Sequence, residues 1–323
     1  MNAPAGGTTQ WRPGASLADL RLRARLLQQT RAFFAARDVL EVETPLLCHA
    51  GAADAQLAQF DVRPAADETL YLQTSPEYAM KRLLAAGSGS IYQLCKAFRA
   101  HEKGALHNPE FTLVEWYRTG FTLQELIGET CALIEDLIRR PLLAMQIVRY
   151  QDVFRKTLDI DPFTATDAAL AAVARHHDET ASALSLDRDG WLDFLFSMHV
   201  APCFPQDRLT VVRDYPPSQA VWARIEESGA ARFEAYLGPI ELANGFEEAV
   251  SHADYVARFG EEQRKRRARN LPAIAPDERL LAALAHGKFP ECAGVALGFD
   301  RVVMLAAGAR CLDEVISFTI DRI

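Results

Sequence analysis

The sequence lacks the features typical of an exported protein, a membrane protein or a nucleic-acid-binding protein. Its 323 residues contain six scattered cysteines and no Cys-x-x-Cys pair, so we expect reduced thiols and a cytoplasmic location. No window approaches the roughly 18 apolar residues of a membrane span, and no signal-like start is seen. The 43 acidic and 35 basic side chains give a formal charge of -8, which disfavours a polyphosphate partner because like charges repel.

The common phosphate-binding loops are also missing. There is no Walker-type loop and no Rossmann glycine pattern, and Gly-Ser-Gly-Ser at 87–90 is typical of a turn. Any nucleotide would therefore be held by arginines and a metal ion. We expect a disordered tail at 1–15 and one domain at 16–323, with a helical insertion at about 122–200 that carries no chemistry.

The first elements are a helix and a strand. The spacing predicts an amphipathic helix over 17–37, with Ser16 and Asp19 forming a start that resembles a capping box. VLEVETPLL (39–47) alternates in polarity and contains Pro45, which cannot donate to a β-ladder. Such a strand suits a sheet edge or an interface.

FRAHEKGALHNPEF, residues 98–111, concentrates charged and imidazole side chains at the tip of a predicted hairpin. Its flanking strands are 91–100 and 110–118. A helical zinc site needs His-Glu-x-x-His, whereas His101 and His107 are six residues apart. A nucleotide loop and a solvated polar turn remain as the alternatives.

The strand after this tip places a carboxylate among apolar neighbours. A period of two puts four residues on one face: Phe111, Leu113, Glu115 and Tyr117. Val114 and Trp116 lie on the opposite face. Because a buried carboxylate needs a partner, the first face is either solvated or meets a cationic ligand.

RFEAYLGPIEL, residues 232–242, predicts a second hairpin with an acidic pair. A two-residue turn at Leu237 and Gly238 would set Glu234 opposite Glu241. Like charges across a ladder are destabilising, and a divalent ion would reverse this. A longer turn would shift the register, and exposed glutamates with no function are the alternative.

GVALGFDR, residues 294–301, predicts a strand that leads into a helix. Gly294 and Gly298 allow close backbone approach, and Arg301 lies in the first turn of the helix. A cation there opposes the helix dipole and favours a nearby anion. Arg99 and Arg301 together offer two guanidinium forks of the kind that hold phosphates.

These segments resemble a known family. VLEVETPLL resembles motif 1 of the class II aminoacyl-tRNA synthetases, FRAHEKGALHNPEFTLVEWY motif 2, and GVALGFDR motif 3. TSPEYAMKRLL and ELANGFEE resemble the lysyl branch. Five motifs in order cover about residues 16–323. The resemblance implies an α+β fold with a six- or seven-stranded antiparallel sheet flanked by helices, dimeric through motif 1 and without the anticodon-binding domain.

Within that branch the chain most resembles the truncated paralogues that modify elongation factor P. The resemblance implies use of ATP and Mg²⁺, activation of (R)-β-lysine as an adenylate, and transfer to a lysine of elongation factor P, with no tRNA. Two alternatives stay open, a minimal lysyl-tRNA synthetase and a non-catalytic regulatory paralogue. Arg99 and Arg301 are both present, which argues against the second.

Motif by motif, the resemblance implies roles for individual residues. Arg99 would bind the α-phosphate and Arg301 the γ-phosphate, as the catalytic residues. The other ATP-binding positions would be His101, Glu102, Asn108, Glu241, Leu242 and Gly298. The amino acid would contact Ser75, Pro76, Glu77, Tyr117, Glu248 and Ala296. The metal ligands would be Glu234 and Glu241.

Two positions depart from common patterns. His101 stands where many motif 2 sequences have the glutamate of Arg-x-Glu. Ala296 stands where lysyl-tRNA synthetases usually have glycine. An added methyl group reshapes a tight pocket, which fits a substrate whose amine is on the β-carbon.

The charged segment EEQRKRRARN, residues 261–270, has two interpretations. It is typical of a solvated helix that is balanced by its own Glu261 and Glu262. It could instead help to dock the acidic surface of a protein partner.

Overall fold

The computed structural model describes residues 11–65 and 68–323. Most of the tail predicted for 1–15 lies outside these ranges. Within them, the amide of Gly14 donates to the carbonyl of Ser317 over 2.9 Å, and that of Ala15 donates to Ile316 over 3.3 Å. These two hydrogen bonds tie Gly14 and Ala15 to the C-terminal segment.

Helices and strands alternate along the described chain. The α-helices are α1 Leu17–Ala35, α2 Glu77–Ala85, α3 Leu123–Ile138, α4 Tyr150–Leu158, α5 Asp167–His177, α6 Arg188–Leu195, α7 His252–Ala268, α8 Glu278–Ala285 and α9 Phe299–Ala307. The strands are β1 Leu40–Glu41, β2 Leu47–Cys48, β3 Asp61–Ala65, β4 Glu68–Leu72, β5 Ile91–Phe98, β6 Glu110–Thr119, β7 Leu143–Arg149, β8 Arg208–Tyr215, β9 Ile225–Glu226, β10 Gly229–Leu237, β11 Ile240–Glu247 and β12 Cys292–Gly298.

A large sheet organises the described residues. Its order is β1-β5-β6-β12-β11-β10-β8-β7, with β9 paired to β10. Across the sheet, every neighbouring pair in the series β5-β6-β12-β11-β10-β8 is antiparallel. The two edge strands, β1 and β7, pair in parallel with β5 and β8. The α+β antiparallel class is confirmed, with more strands than the resemblance implied, and the edge position of β1 agrees with the sequence.

The main core lies between one face of this sheet and α1, α3 and α9. Val114 and Trp116 of β6 are fully buried in it, as their alternation with Glu115 predicts. Thr122 and Glu125 form a reciprocal capping box that starts α3. Ser16 caps α1 by accepting from the amide of Asp19 over 3.2 Å. The opposite face of β6 is left for the site.

The insertion is less helical than predicted. Residues 143–149 form β7, which pairs in parallel with β8 at the edge of the large sheet, and Leu143 and Ile147 stay 50% and 37% exposed there. A second core then forms around stacked rings. Tyr150 lies 4.7 Å from Phe154 and 5.3 Å from Phe196 between ring centroids. The insertion thereby seals the β8–β10 side of the sheet.

The β10–β11 hairpin has a different register from the predicted one. The register shifts at a bulge beside Tyr236, so Glu234 lies opposite Asn244 and Glu241 lies opposite Tyr236. The prediction that Glu234 faces Glu241 is wrong, because a bulge adds a residue without a clear sequence signature. Since paired residues share a face, these side chains still project from the same side of the sheet.

The basic end of α7 is paired both within the helix and with α6. Arg264 pairs with Glu261 inside the helix, as predicted. Lys265 also lies 3.2 Å from Asp189, and Arg269 lies 2.5 Å from Asp187. These contacts attach the insertion to α7.

Candidate active site

A cavity of about 1160 Å³ opens over the polar face of β6, β11 and β12. Most of the predicted site residues line it: Ser75, Pro76, Glu77, Arg99, Glu102, Asn108, Tyr117, Glu241, Leu242, Ala296, Gly298 and Arg301. Three predicted residues, His101, Glu234 and Glu248, lie outside its walls. The structure thus brings together segments that are more than two hundred residues apart in sequence.

One end of the cavity is built around Glu115. Its side chain accepts from the Ser75 hydroxyl over 2.7 Å and from the Tyr117 hydroxyl over 2.8 Å. The residue is only 3% exposed. Burial and the nearby Glu77 raise the pKa of Glu115 to about 7. A buried carboxylate that is held only by neutral donors is suited to receive an ammonium group.

The sequence reasoning missed a buried lysine beside this group. Lys81 of α2 is 0% exposed, and its Nζ lies 2.5 Å from Glu77 and 2.8 Å from Glu248. Glu248 is therefore connected to the cavity wall through Lys81. The spacing of Glu77 and Lys81, four residues apart on one helix, was the available signal.

Arg301 links the motif 2 loop to β11. Its guanidinium donates to the carbonyl of Glu241 over 2.8 Å and contacts His107 Nε2 at 2.8 Å. Burial and Arg301 lower the pKa of His107, so its imidazole is neutral at neutral pH and Nε2 accepts the hydrogen bond. The sequence reasoning gave His107 no role.

Arg99 is held less tightly than Arg301. It lies 3.7 Å from Glu102, and its guanidinium carbon is 5.1 Å from the centroid of the Phe111 ring. Its Nε has no hydrogen-bond partner among the described residues. Donors of Arg99 are therefore available to an anion in the cavity.

The predicted ATP-binding positions of the hairpin tip have different environments. Asn108 is 6% exposed and donates to the carbonyl of Glu110 over 2.6 Å. It also accepts from the amide of Ile320 over 2.9 Å, so its side chain ties the tip to the C-terminal segment. His101 is exposed and has a φ of 68°. Its imidazole does not reach the cavity wall.

The two predicted metal ligands are not equivalent. Glu234 has both oxygens occupied, since Arg232 lies 2.5 Å from one and the Tyr215 and Tyr236 hydroxyls donate to the other. Glu241 is 41% exposed into the cavity. In the two described ranges, no three His, Cys, Asp or Glu side chains are grouped to hold a metal ion. Glu241 fits a Mg²⁺ that takes its other ligands from phosphates, whereas Glu234 would first have to release its partners.

The strand β12 forms the floor beside Glu115. Ala296 lies opposite Glu115 on one side and opposite Asn244 on the other, so its methyl group shares the polar face with both. A Cβ on Gly294 would lie 2.4 Å from the Tyr117 ring. Glycine at 294 is therefore needed for that ring to pack against the strand.

Comparison with known proteins agrees with this fold and site. The family model described as tRNA synthetases class II (D, K and N) matches residues 8–322. The chain belongs to this class II tRNA synthetase family. A relative from Klebsiella pneumoniae (strain 342), named elongation factor P–(R)-beta-lysine ligase, is 45% identical over 98% of this chain and 99% of its own length.

A relative of the same name from Salmonella paratyphi B (strain ATCC BAA-1250 / SPB7) is 44% identical over the same shares of both chains. The predicted likeness to the truncated, ligase branch of the family is confirmed.

The six cysteines are unpaired, as expected. In 11–65 and 68–323 no helix is both long and apolar enough to cross a bilayer.

Proposed function

We propose that the protein is an ATP-dependent ligase that activates (R)-β-lysine as an adenylate and transfers it to the ε-amine of a lysine on elongation factor P. One observation carries the proposal. A single cavity brings two arginines, Arg99 and Arg301, together with the polar group of Ser75, Glu77 and Glu115, which supports phosphate binding at one end and amine binding at the other. The names of the relatives supply the substrate and the acceptor.

The amino acid is held by its two ammonium groups. Ser75 and Glu77, with Glu115 behind them, receive the amine nearer the carboxylate, and Tyr117 and Glu248 receive the distal amine. Along β6, Tyr117 and Glu115 lie towards the end that pairs with Ile91 and Gln93, while Arg99 follows the far end of β5. The substrate carboxylate is thereby directed towards the arginines.

Adenylation is a displacement at the α-phosphorus of ATP. The carboxylate oxygen forms the new bond, and the bond to pyrophosphate breaks. Arg99 offsets charge on the α-phosphate and Arg301 on the γ-phosphate. Glu102, Asn108, Leu242 and Gly298 shape the nucleotide site, and His101 adjoins it. A Mg²⁺ ion held by Glu241, with Glu234 behind it, would neutralise phosphate charge.

Transfer needs no nucleophile from the protein. The uncharged ε-amine of the acceptor lysine attacks the carbonyl carbon of the adenylate, AMP leaves with the bonding electrons, and the amine loses a proton. The enzyme's contribution is to hold the two reactants in line.

The remaining parts of the proposal concern partners and place. In the motif 1 segment, Leu40 is 56% exposed and Leu47 is 47% exposed. These exposed apolar side chains support a homodimer that forms through the motif 1 segment. We propose elongation factor P as the macromolecular substrate instead of tRNA, and a cytoplasmic location where ATP is supplied.

Amino-acid-dependent ATP–pyrophosphate exchange tests the proposal. Wild-type protein should exchange faster with (R)-β-lysine than with α-lysine. A clear preference for α-lysine would favour a minimal lysyl-tRNA synthetase, and no exchange with either would favour a regulatory protein.

A further inference from the structure

Lys81 carries a buried charge that the proposed reaction does not use. It lies in the second turn of α2, is 0% exposed, and does not line the cavity. Its Nζ contacts Glu77 Oε1 at 2.5 Å and Glu248 Oε2 at 2.8 Å. The two carboxylates joined in this way are those proposed to receive the two amines of the substrate. A buried ammonium that bridges them needs an explanation beyond packing, since an apolar side chain could fill the same volume.

Aromatic rings enclose the ammonium. Nζ lies between 5.3 and 6.0 Å from the ring centroids of Tyr255, Phe246, Trp222 and Tyr117. Burial alone would lower the pKa of Lys81, but Glu248 and Glu77 outweigh burial and hold this pKa well above its ordinary range. The side chain is therefore a permanent cation, stabilised further by the ring faces.

The bridge leaves one oxygen of Glu248 free. Oε2 takes the contacts from Lys81 and from the Tyr255 hydroxyl, the latter over 3.3 Å. Oε1 is buried and has no hydrogen-bond partner among the described residues. A Cβ on Gly294 would lie 3.1 Å from Oε1 and against the Tyr117 ring. The carboxylate is thus fixed by one oxygen, and its other oxygen lies beside Tyr117.

We propose that Lys81 is a positioning residue for amino-acid recognition, which orients Glu77 and Glu248 and sets the residual charge of the chamber. The inference rests on the proposed function. Three carboxylates, Glu77, Glu115 and Glu248, face one internal ammonium. Lys81 cancels one of them, which leaves two negative charges for a substrate with two ammonium groups. A monoamine leaves one charge unmatched, so the chamber selects a diamine.

Protonation should follow from this charge balance. The other titratable groups that face the cluster are Tyr78 of α2, Tyr117 of β6, Tyr255 of α7 and Cys292 of β12. Burial raises the pKa of each of these, so they stay uncharged near neutral pH. Burial and Glu77 raise the pKa of Glu115 to about 7, and burial raises that of Glu248 to about 8 against the opposing effect of Lys81. These two carboxyl groups take up protons near pH 7, and an ammonium group that binds beside them displaces those protons.

Kinetics of Lys81 variants test the inference. Lys81→Met should raise KM for (R)-β-lysine in pyrophosphate exchange at least tenfold and leave KM for ATP within twofold. Lys156→Met changes an exposed lysine of α4 and is the matched control. Propylammonium, which replaces the atoms removed in Lys81→Ala, should restore at least threefold in exchange rate. A KM for (R)-β-lysine within twofold of wild type, or an equal loss for both substrates, would overturn the inference.

A second measurement does not depend on a variant that folds. Calorimetry of (R)-β-lysine binding to wild-type protein at pH 7, in two buffers of different ionisation enthalpy, should show net proton release. Binding without proton exchange would contradict the charge balance. If wild type shows no exchange with either lysine, the proposed function fails. The inference about Lys81 is then decided by comparing the calorimetric affinities of wild type and Lys81→Met for (R)-β-lysine.

Discussion

Arg301 and His107 meet at 2.8 Å between a guanidinium nitrogen and Nε2, across 194 residues of sequence. The neutral imidazole fixes one edge of the guanidinium, and the carbonyl of Glu241 fixes another at 2.8 Å. The Arg301 guanidinium therefore joins motif 2 to motif 3. A preset guanidinium loses less conformational freedom when it binds a phosphate.

Replacing His107 should weaken this arrangement. We expect His107→Ala to raise KM for ATP about tenfold and to leave KM for the amino acid unchanged. The reason is that losing a hydrogen bond between a neutral acceptor and a charged donor costs roughly 1.5 kcal/mol. Steady-state exchange with each substrate varied separately measures this. His176→Ala, at an exposed position on α5, is the control. An equal rise in both KM values would indicate loss of fold instead.

Removing Arg301 should have a larger effect. Arg301→Ala is expected to lower the exchange rate at saturating substrates by about 10²–10³, the usual loss for one charged group that stabilises a transition state. Arg310→Ala, an exposed arginine just beyond α9, should keep wild-type activity. A decrease below tenfold in Arg301→Ala would remove the assigned role.

Ala296 should determine the choice between the two lysines. Because its methyl group shares a face with Glu115, Ala296→Gly opens space beside the amine site. The ratio of kcat/KM for (R)-β-lysine to that for α-lysine should fall about tenfold, the effect of one methyl group. Ala293→Gly makes the same change on the core face of β12 and should alter stability without altering the ratio. An unchanged ratio in Ala296→Gly would be inconsistent with the account.

The sequence predicted the elements that local patterns specify. The alternation in β6 identified the buried faces of Trp116 and Glu115, and the glycine-bounded motif 3 identified β12 and α9. Local patterns could not reveal the bulge that separates Glu234 from Glu241, since its cause is the fit between two strands. Nor could they show that Lys81 is buried, because a lysine on a helix is ordinarily solvated and its two partners lie 4 and 167 residues away.

Glu115 should make stability depend on pH. Its pKa in the folded protein, about 7, lies above the ordinary 4.5, so its contribution to stability is complete below about 4.5 and is lost as pH rises through 7. When the pH rises from 5.5 to 8, the unfolding free energy of wild type should fall by about 2 kcal/mol more than that of Glu115→Gln, which lacks the titrating carboxyl group. The figure follows because one pKa unit corresponds to about 1.4 kcal/mol. Urea unfolding at both pH values measures this.

The control for this experiment is Glu110→Gln, at the exposed start of the same strand. Its pH profile should follow wild type. If Glu115→Gln and wild type lose the same stability over this range, Glu115 is ionised in the folded protein at pH 5.5 and the assignment is wrong.

Transfer of the activated amino acid to its acceptor distinguishes a ligase that modifies elongation factor P from a tRNA synthetase. Purified protein, ATP, Mg²⁺ and (R)-β-lysine would be incubated with elongation factor P or with lysine tRNA, and the products followed by mass spectrometry and by acid precipitation. We expect elongation factor P to gain one β-lysyl group on a lysine and the tRNA to stay uncharged. A charged tRNA with unmodified elongation factor P would contradict this expectation.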